Sequence, residues 1–293
     1  MKELIKAARW KTRQKYSQLR CRLGLGYNIW DSGEFRFVAR QDDAFSHVLF
    51  VGQGHEKVEM QWCRRWIEAG NTDQSIIDCG ANIGYFSAVL AQLCSLEKII
   101  AIEGNHETAV VCKENLALLG INNAVVIQAV LAADSVEQFV IPNNPGREPW
   151  QQAVKVDGMS EVEYSVTLDE IVNQYGVYPS LVKIDCEGFE PAILKGAENL
   201  LTSIRPALML ECNDKALVGV GTNRNELFAL LRRYNYRTFH LASFTSHFPL
   251  GIECSEEFPS SEFNFAAIPN DEQNMRRWVC SSKDQYDLSI IKK

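Results

Sequence analysis

Acidic side chains stand at or just beyond the ends of several short aliphatic runs, where carboxylates can accept protons or bind cations. Asp78, Glu103, Asp185 and Glu211 each accompany such a run, and Glu187 lies two residues beyond Asp185. Parallel strands in an open α/β sheet bring their carboxyl ends to one edge, where ligands bind. The pattern therefore predicts a carboxylate-rich ligand site at one edge of a parallel sheet.

A glycine-rich turn follows the first of these runs. The segment Asp78-Cys79-Gly80-Ala81-Asn82-Ile83-Gly84 leads into a helical stretch, and glycine permits the positive φ angles and close approaches of a tight turn. Glu103 ends the next run, where a carboxylate can accept hydrogen bonds from two ribose hydroxyls. The combination predicts a site for a cofactor that carries adenosine.

NAD and S-adenosyl-L-methionine both carry adenosine, and the turn distinguishes them. A dinucleotide turn reads G-x-G-x-x-G, whereas no glycine stands between Gly80 and Gly84. Asp78 would repel a pyrophosphate and attract the cationic amino-acid end of S-adenosyl-L-methionine. We therefore expect S-adenosyl-L-methionine. The alternatives are an NAD-linked oxidoreductase and a non-catalytic cofactor-binding scaffold at a membrane-associated assembly.

Positions 183–190 carry four charged residues, and alternation places Lys183 and Asp185 on the same side of a strand. One interpretation is an ion pair followed by acids at a helix N-terminus. The other is an active-site edge, with Asp185 as general base and Glu187 and Glu211 in support. In that interpretation Lys183 adjusts the pKa of Asp185 or binds the acceptor.

Two further candidates concern the same edge. His240 ends a later predicted strand and is a candidate proton acceptor, although a lone histidine is more often structural. Asp185, Glu187 and Glu211 could together hold a divalent cation, because such ions prefer oxygen ligands. We expect no metal.

Strand and helix runs alternate from about residue 75, which is typical of a parallel sheet covered by helices. The prediction is an α/β fold with a doubly wound, mainly parallel, seven-stranded Rossmann-like sheet. Predicted strands are 75–79, 98–103, 124–129, 180–185, 207–211, 236–241 and 264–268. Predicted helices are 57–69, 85–96, 105–119, 168–175, 191–201 and 223–234, and residues 134–141 and 162–167 are predicted to pair antiparallel. The predicted division is 1–70 (basic helix and extension), 71–270 (catalytic domain) and 271–293 (tail).

Charge is divided unevenly along the 293 residues. Residues 1–22 contain eight Lys or Arg and one acid, a net +7, and the remaining 271 residues carry −14, so the chain carries −7. An acidic body disfavours nucleic-acid binding. The basic segment is interpreted as a solvated helix packed on the domain or, alternatively, as a weak membrane-surface contact.

Nine cysteines are scattered without C-x-x-C spacing, and no signal peptide or run of about 18–20 apolar residues is present. These observations predict reduced thiols in a cytoplasmic protein. Under the alternative interpretation of the basic segment, the protein is peripheral at the inner membrane face. Cys79, Cys186 and Cys212 each follow an acid at a strand end. They could form a metal cluster, but small buried side chains are the favoured interpretation.

The ordered set of motifs resembles the FkbM-type methyltransferase family over about residues 71–213, and Phe263–Pro269 is similar to the family's final strand. The motifs are Ile77–Ser87, Ile102-Glu103, Thr167-Leu168-Asp169, Val182–Glu190, Leu194–Ala197 and Pro206–Glu211. The resemblance implies a class I S-adenosyl-L-methionine-dependent fold. It also implies O-methylation of a hydroxyl on a sugar or glycan, a polyketide or a similar small molecule.

The resemblance also implies the cofactor-binding residues, from the methionine end to the adenine. They are Asp78, Gly80, Ala81, Asn82, Gly84, Phe86, Glu103, Gly104, Gln128 and Ala129. Gly104 departs from the family's common proline, Cys79 and Cys186 replace branched aliphatics, and Glu56 is a weak further candidate. The loops 142–158 (with Arg147 and Trp150) and 243–258 (with Phe244, His247 and Phe248) either cover the acceptor or are ordinary surface loops.

Overall fold

The structure is a computed structural model that describes residues 27–31, 36–40, 57–68, 75–93, 96–141, 152–156, 163–241, 252–254 and 263–271. Predictions for residues 1–22 and 272–293 lie outside the described residues. So do those for His55-Glu56, for Arg147 and Trp150, and for Phe244, His247 and Phe248.

Within those ranges the chain alternates between strands and helices, as the periodicity predicts. The strands are β1 (Tyr27–Asp31), β2 (Arg36–Arg40), β3 (Ser75–Cys79), β4 (Ile99–Glu103), β5 (Ala124–Gln128), β6 (Val130–Leu131), β7 (Gln138–Val140), β8 (Val154–Lys155), β9 (Glu163–Val166), β10 (Pro179–Ile184), β11 (Ala207–Glu211), β12 (Tyr236–His240), β13 (Ile252–Glu253) and β14 (Asn264–Pro269). The helices are α1 (Lys57–Glu68), α2 (Tyr85–Leu93), α3 (His106–Leu118), α4 (Leu168–Tyr175), α5 (Glu190–Lys195), α6 (Asp214–Gly219) and α7 (Arg224–Arg233). None of these described helices combines the length and apolar character needed to cross a bilayer.

The central sheet has the strand order β13-β12-β14-β11-β10-β3-β4-β5. Strands β5, β4, β3, β10 and β11 are mutually parallel, and β14 runs antiparallel to β11 and β12. The predicted α/β, doubly wound, mainly parallel sheet is confirmed, and the two-residue β13 adds an eighth strand at one edge. The order reverses between β3 and β10, which is where such sheets bind ligands.

Helices cover both faces of the sheet, so each strand contributes alternate side chains to two cores. Ile76 and Met209 pack with Trp62, Trp66 and other residues of α1, α2 and α3. Their strand neighbours belong to a second core under α4, α5, α6 and α7; examples are Ile77, Leu208 and Leu210. Burial on both faces explains why these strands are aliphatic runs instead of alternating ones.

A smaller sheet with the order β6-β9-β7-β8 lies beside the main one. Strands β7 and β9 form the predicted antiparallel pair, and β8 was not predicted. The ring of Phe139 on β7 meets that of Phe189 edge to face, with 5.7 Å between the centroids. This contact joins the small sheet to the segment that follows β10.

Two boundaries differ from the sequence prediction. The helix expected over 191–201 is α5, which ends at Lys195, and a π-helical turn follows at Leu200–Ile204. Gly196 lies so close to the small sheet that a Cβ there would be 2.4 Å from the Ala132 carbonyl oxygen. Strand β10 ends at Ile184, so Asp185 is the first residue past the strand.

Candidate active site

The glycine turn lies across the ends of three strands. The amides of Gly80 and Ala81, which follow β3, both donate to the carbonyl of Ile102 on β4 at 2.9 Å. Gly80 has a φ of +78°, and a Cβ there would lie 1.9 Å from the main-chain oxygen of Asp185 after β10. Asn82 and Gly84 also have positive φ angles. The turn therefore requires glycine at position 80, for both its conformation and its closeness to β10.

Buried polar side chains support the turn from behind. The Ser87 hydroxyl on α2 donates to Asp78 Oδ2 at 2.7 Å, and both residues are fully buried. Asn115 on α3 donates from Nδ2 to the carbonyls of Ile83 and Val38, both at 2.8 Å. Asp78 thus places negative charge beneath the turn. Asn115 was not singled out in the sequence because an asparagine within a helical run carries no distinguishing signal.

Glu103 is held in place by main-chain amides at the end of β4. Its Oε2 accepts from the amide of Asn82 at 2.9 Å, and its Oε1 accepts from that of Asn105 at 2.9 Å. Burial raises the pKa of Glu103, and the two amides counteract that rise. Each carboxylate oxygen has a second lone pair, so the group can still accept from hydroxyl donors.

The remaining cofactor candidates lie beside Glu103. The amide of Ala129 donates to the Glu103 carbonyl at 3.1 Å, and Gln128 Nε2 donates to the Gly104 carbonyl at 3.3 Å. A Cβ at Gly104 would lie 2.9 Å from Ile141 Cδ1. Cδ1 is the tip of a flexible side chain that can move aside, so this contact does not by itself require glycine.

Three acids meet at the ends of β10 and β11. One carboxylate oxygen each from Asp185, Glu187 and Glu211 lies within 4.8 Å of the others, and we call this group the acidic cluster. Lys183 Nζ lies 2.8 Å from Asp185 Oδ2, and the lysine is almost fully buried. The same ammonium lies 5.3 Å from the centroid of the Phe86 ring. The ion pair and the clustered acids are therefore both present.

Proximity and burial change the proton affinities of these acids. Burial, followed by the charge of Asp185, raises the pKa of Glu187 to about 8. The same causes in the same order raise the pKa of Glu211 to about 10, and Lys183 opposes both shifts. Near pH 7, Glu187 and Glu211 therefore hold protons beside the Lys183–Asp185 ion pair.

The segment that carries Glu187 is a strained turn. Glu187 has a φ of +52°, and Gly188 has a φ of +100°. Glu190 Oε1 accepts from the amide of Cys186 at 2.9 Å and from that of Gly188 at 3.3 Å. Burial raises the pKa of Glu190 to about 7. This fully buried acid therefore supports the turn from inside, which agrees with the interpretation that an acid lies at a helix N-terminus.

His240 is not brought to the acidic cluster. It ends β12, and β14 lies between β12 and β11. Along β12 it alternates onto the same sheet face as Tyr236, in the second core, whereas Glu211 alternates with Met209 in the first core.

The three strand-end cysteines are buried or half-buried thiols. Burial raises the pKa of Cys79 and Cys186 well above the ordinary value and that of Cys212 to about 12. Among the described histidines, cysteines and acids, the acidic cluster is a group close enough together to hold a metal ion. The three cysteines are not part of it. The expectation that no metal is used stays a prediction.

The residues present fit S-adenosyl-L-methionine. Glu103, fixed by two amides, suits a ribose diol, and the tight turn with Asp78 beneath it suits the ammonium of the cofactor's amino-acid end. Asp185 lies beside Gly80, so the acidic cluster borders this end of the site.

The family model described as the methyltransferase FkbM domain matches residues 78–238, whereas a search of curated protein sequences finds no significant match. A solved methyltransferase FkbM from Methylobacillus flagellatus KT is 16% identical, with a TM-score of 0.45 over 67% of this chain and 44% of that one. This chain thus spans less than half of that protein's length.

Two other solved structures are also similar. A SAM-dependent methyltransferase from Agrobacterium tumefaciens is 12% identical, with a TM-score of 0.45 over 83% of this chain and 69% of that one. TYW2 of M. jannaschii, solved in complex with AdoMet, is 13% identical, with a TM-score of 0.39 over 83% and 85%. The family model covers more than half of the chain. The chain therefore belongs to the FkbM methyltransferase family, and its cofactor is S-adenosyl-L-methionine.

Proposed function

We propose that this methyltransferase acts on oxygen, methylating a hydroxyl group of a sugar, a glycan or a similar small molecule. The observation that carries the proposal is the acidic cluster, with its Lys183–Asp185 ion pair, beside the glycine turn. S-adenosyl-L-methionine, when bound, supplies an electrophilic methyl group and a neutral thioether leaving group. An alcohol is a weak nucleophile until its proton is removed, so transfer to oxygen needs a base at the acceptor.

Asp185 is the base in this proposal. It lies next to Gly80, and Lys183 holds one of its carboxylate oxygens, which orients the group. The other oxygen accepts the proton of the acceptor hydroxyl as the new carbon–oxygen bond forms. A positioned base contributes roughly 100- to 10,000-fold to such a step.

Glu187 and Glu211 have a different task because they hold protons near neutral pH. Their O–H groups can donate hydrogen bonds to the oxygens of the acceptor and so orient it. The two acids thus bind the acceptor, and Asp185 activates it.

The charge of the site supports a neutral acceptor. Lys183 offsets the charge of Asp185, so the buried Asp78 carboxylate leaves this sheet face with net negative charge. An acceptor with a carboxylate or phosphate near its reacting hydroxyl would be repelled. Neutral polyols such as sugars fit best, because their hydroxyls donate to carboxylates.

The test starts with calorimetry, in which the purified protein should bind S-adenosyl-L-methionine. A panel of neutral methyl glycosides, each paired with the corresponding uronic acid glycoside, is then incubated with protein and cofactor. Mass spectrometry should detect one added methyl group on neutral members and much less on the acids.

Asp185→Asn tests the base. The variant should bind the cofactor with an affinity within about threefold of wild type and lose at least about 100-fold in kcat. Exposed Glu198→Gln is the matched control and should leave both values unchanged. Undiminished turnover by Asp185→Asn would refute the assignment, and transfer to nitrogen instead of oxygen would refute the proposed acceptor.

A further inference from the structure

Gln152 links the small sheet to the turn that carries Glu187. Its Nε2 donates to the main-chain carbonyl of Glu187 at 2.7 Å and to that of Ala216 on α6 at 2.9 Å. The side-chain amide therefore donates both to the turn that carries Glu187 and to α6. The residue lies two positions before β8, far from Glu187 in sequence.

The surrounding backbone leaves room for this amide. Gly219 at the end of α6 lacks a side chain, and a Cβ there would be 2.8 Å from Gln152 Oε1. A Cβ at Gly188 would lie 2.5 Å from the Ala216 carbonyl oxygen, so the turn and α6 are in direct contact. Gly188 thus lets the turn approach α6 closely, and Gly219 leaves room beside the Gln152 amide.

The turn needs external support because its conformation is unfavourable. A residue other than glycine costs about 1–2 kcal/mol in the left-handed region, and Glu187 has a φ of +52°. Glu190 holds the amides on either side of Glu187. Gln152 holds the carbonyl of Glu187 itself.

We propose that Gln152 is a positioning residue: its amide fixes the main chain of Glu187 so that the Glu187 carboxyl stays within the acidic cluster. Phe139 packs against Phe189, and Ala153 packs against the same small apolar cluster. The small sheet therefore supports the turn at two points, one polar and one apolar. The expected effect of Gln152 on KM rests on the methyl transfer proposed above. Its expected effect on the position of Glu187 does not.

The structural arm uses the whole chain, without cofactor or acceptor. Protein labelled with [5-13C]glutamate is titrated by NMR, and the Glu187 signal is identified by its loss in Glu187→Gln. Gln152→Met keeps the length of the side chain and removes both donors. We expect it to lower the midpoint of Glu187 by about one pH unit or more, because the released carboxyl gains water.

Asn123→Ala is the matched control. Asn123 also donates its amide to a carbonyl, that of Leu96 at 2.8 Å, but it lies at the opposite end of the parallel strands. The Asn123→Ala variant should have a lower melting temperature and an unchanged titration midpoint for Glu187. An unchanged midpoint in Gln152→Met, with the same thermal loss as in the control, would show a purely structural role and overturn the proposal.

The kinetic arm uses the methyl glycoside with the highest turnover in the panel above. Gln152→Met should raise KM for that acceptor at least about fivefold and leave cofactor affinity unchanged. In the Glu187→Gln background the same change should add little, because residues that act through one group are not additive. If the effects of Gln152→Met and Glu187→Gln on KM multiply in the double variant, the inference is contradicted.

Gln152→Glu provides a second variant if Gln152→Met does not fold, and it should shift the same midpoint. Failure of every acceptor in the panel would count against the proposed function alone, because the NMR titration still decides the role of Gln152.

Discussion

Replacing Glu211 with glutamine should change how the stability of the protein depends on pH. In the folded chain, burial and the charge of Asp185 raise the pKa of Glu211 to about 10, from an ordinary value of 4.5. Between those values the unfolded chain has lost the proton and the folded chain keeps it. The folded state is therefore penalised increasingly as pH rises, and the full stability is present only below the unfolded pKa.

The size of the effect follows from the proton count. One proton of difference lowers the free energy of unfolding by about 1.4 kcal/mol per pH unit. From pH 5 to pH 7 the contribution of Glu211 is thus a loss of up to about 3 kcal/mol. Glu211→Gln cannot ionise, so the variant should lose that much less stability over this interval.

Urea denaturation, followed by tryptophan fluorescence, measures this difference at several pH values. Trp62 and Trp66 are buried in the core and should report unfolding. Wild type should become less stable as pH rises from 5 to 7, and Glu211→Gln should follow a shallower line. Exposed Glu198→Gln should follow wild type. Equal slopes for Glu211→Gln and wild type would refute the assignment of a proton to Glu211.

Two other substitutions test the turn. Gly80→Ala combines a φ of +78° with a Cβ 1.9 Å from the Asp185 carbonyl oxygen, so cofactor binding should fall at least about 100-fold in calorimetry. Gly120→Ala has a similar φ of +71° and nothing within 4 Å, so it should cost only about 1 kcal/mol in urea denaturation and leave binding unchanged. Ser87→Ala removes a hydrogen bond to the buried Asp78 carboxylate and should cost about 1.5–3 kcal/mol, whereas exposed Ser203→Ala should cost almost nothing. Equal losses in either pair would contradict the packing described here.

Element types followed from local patterns. The aliphatic runs at 75–79 and 207–211 could be recognised as buried strands because every residue of such a strand meets a covered face. The helix predicted over 168–175 is also present, and the structure shows a capping box of Thr167 and Glu170 at its start. Short elements such as α6 were missed because six residues are too few to show a period.

The positions of the acids beside strand ends also followed from the chain itself, since parallel strands bring their carboxyl ends together. The order of residues along the chain does not determine which side chains lie close together across neighbouring strands. His240 also ends a strand, yet β14 separates it from the acidic cluster and its side chain alternates to the other face.

Proton affinities and supporting contacts belong to the folded state alone. The acids of the acidic cluster have ordinary affinities in an extended chain, and those of Glu187 and Glu211 rise only where burial and neighbouring charge act together. Gln152 has no distinguishing neighbours in sequence, and it meets Glu187 only because the small sheet packs beside α6. Residue order thus determined the strands, the turn and the set of acids. Long-range packing decided which acids hold protons and which residue positions Glu187, because both depend on distances that only the folded chain creates.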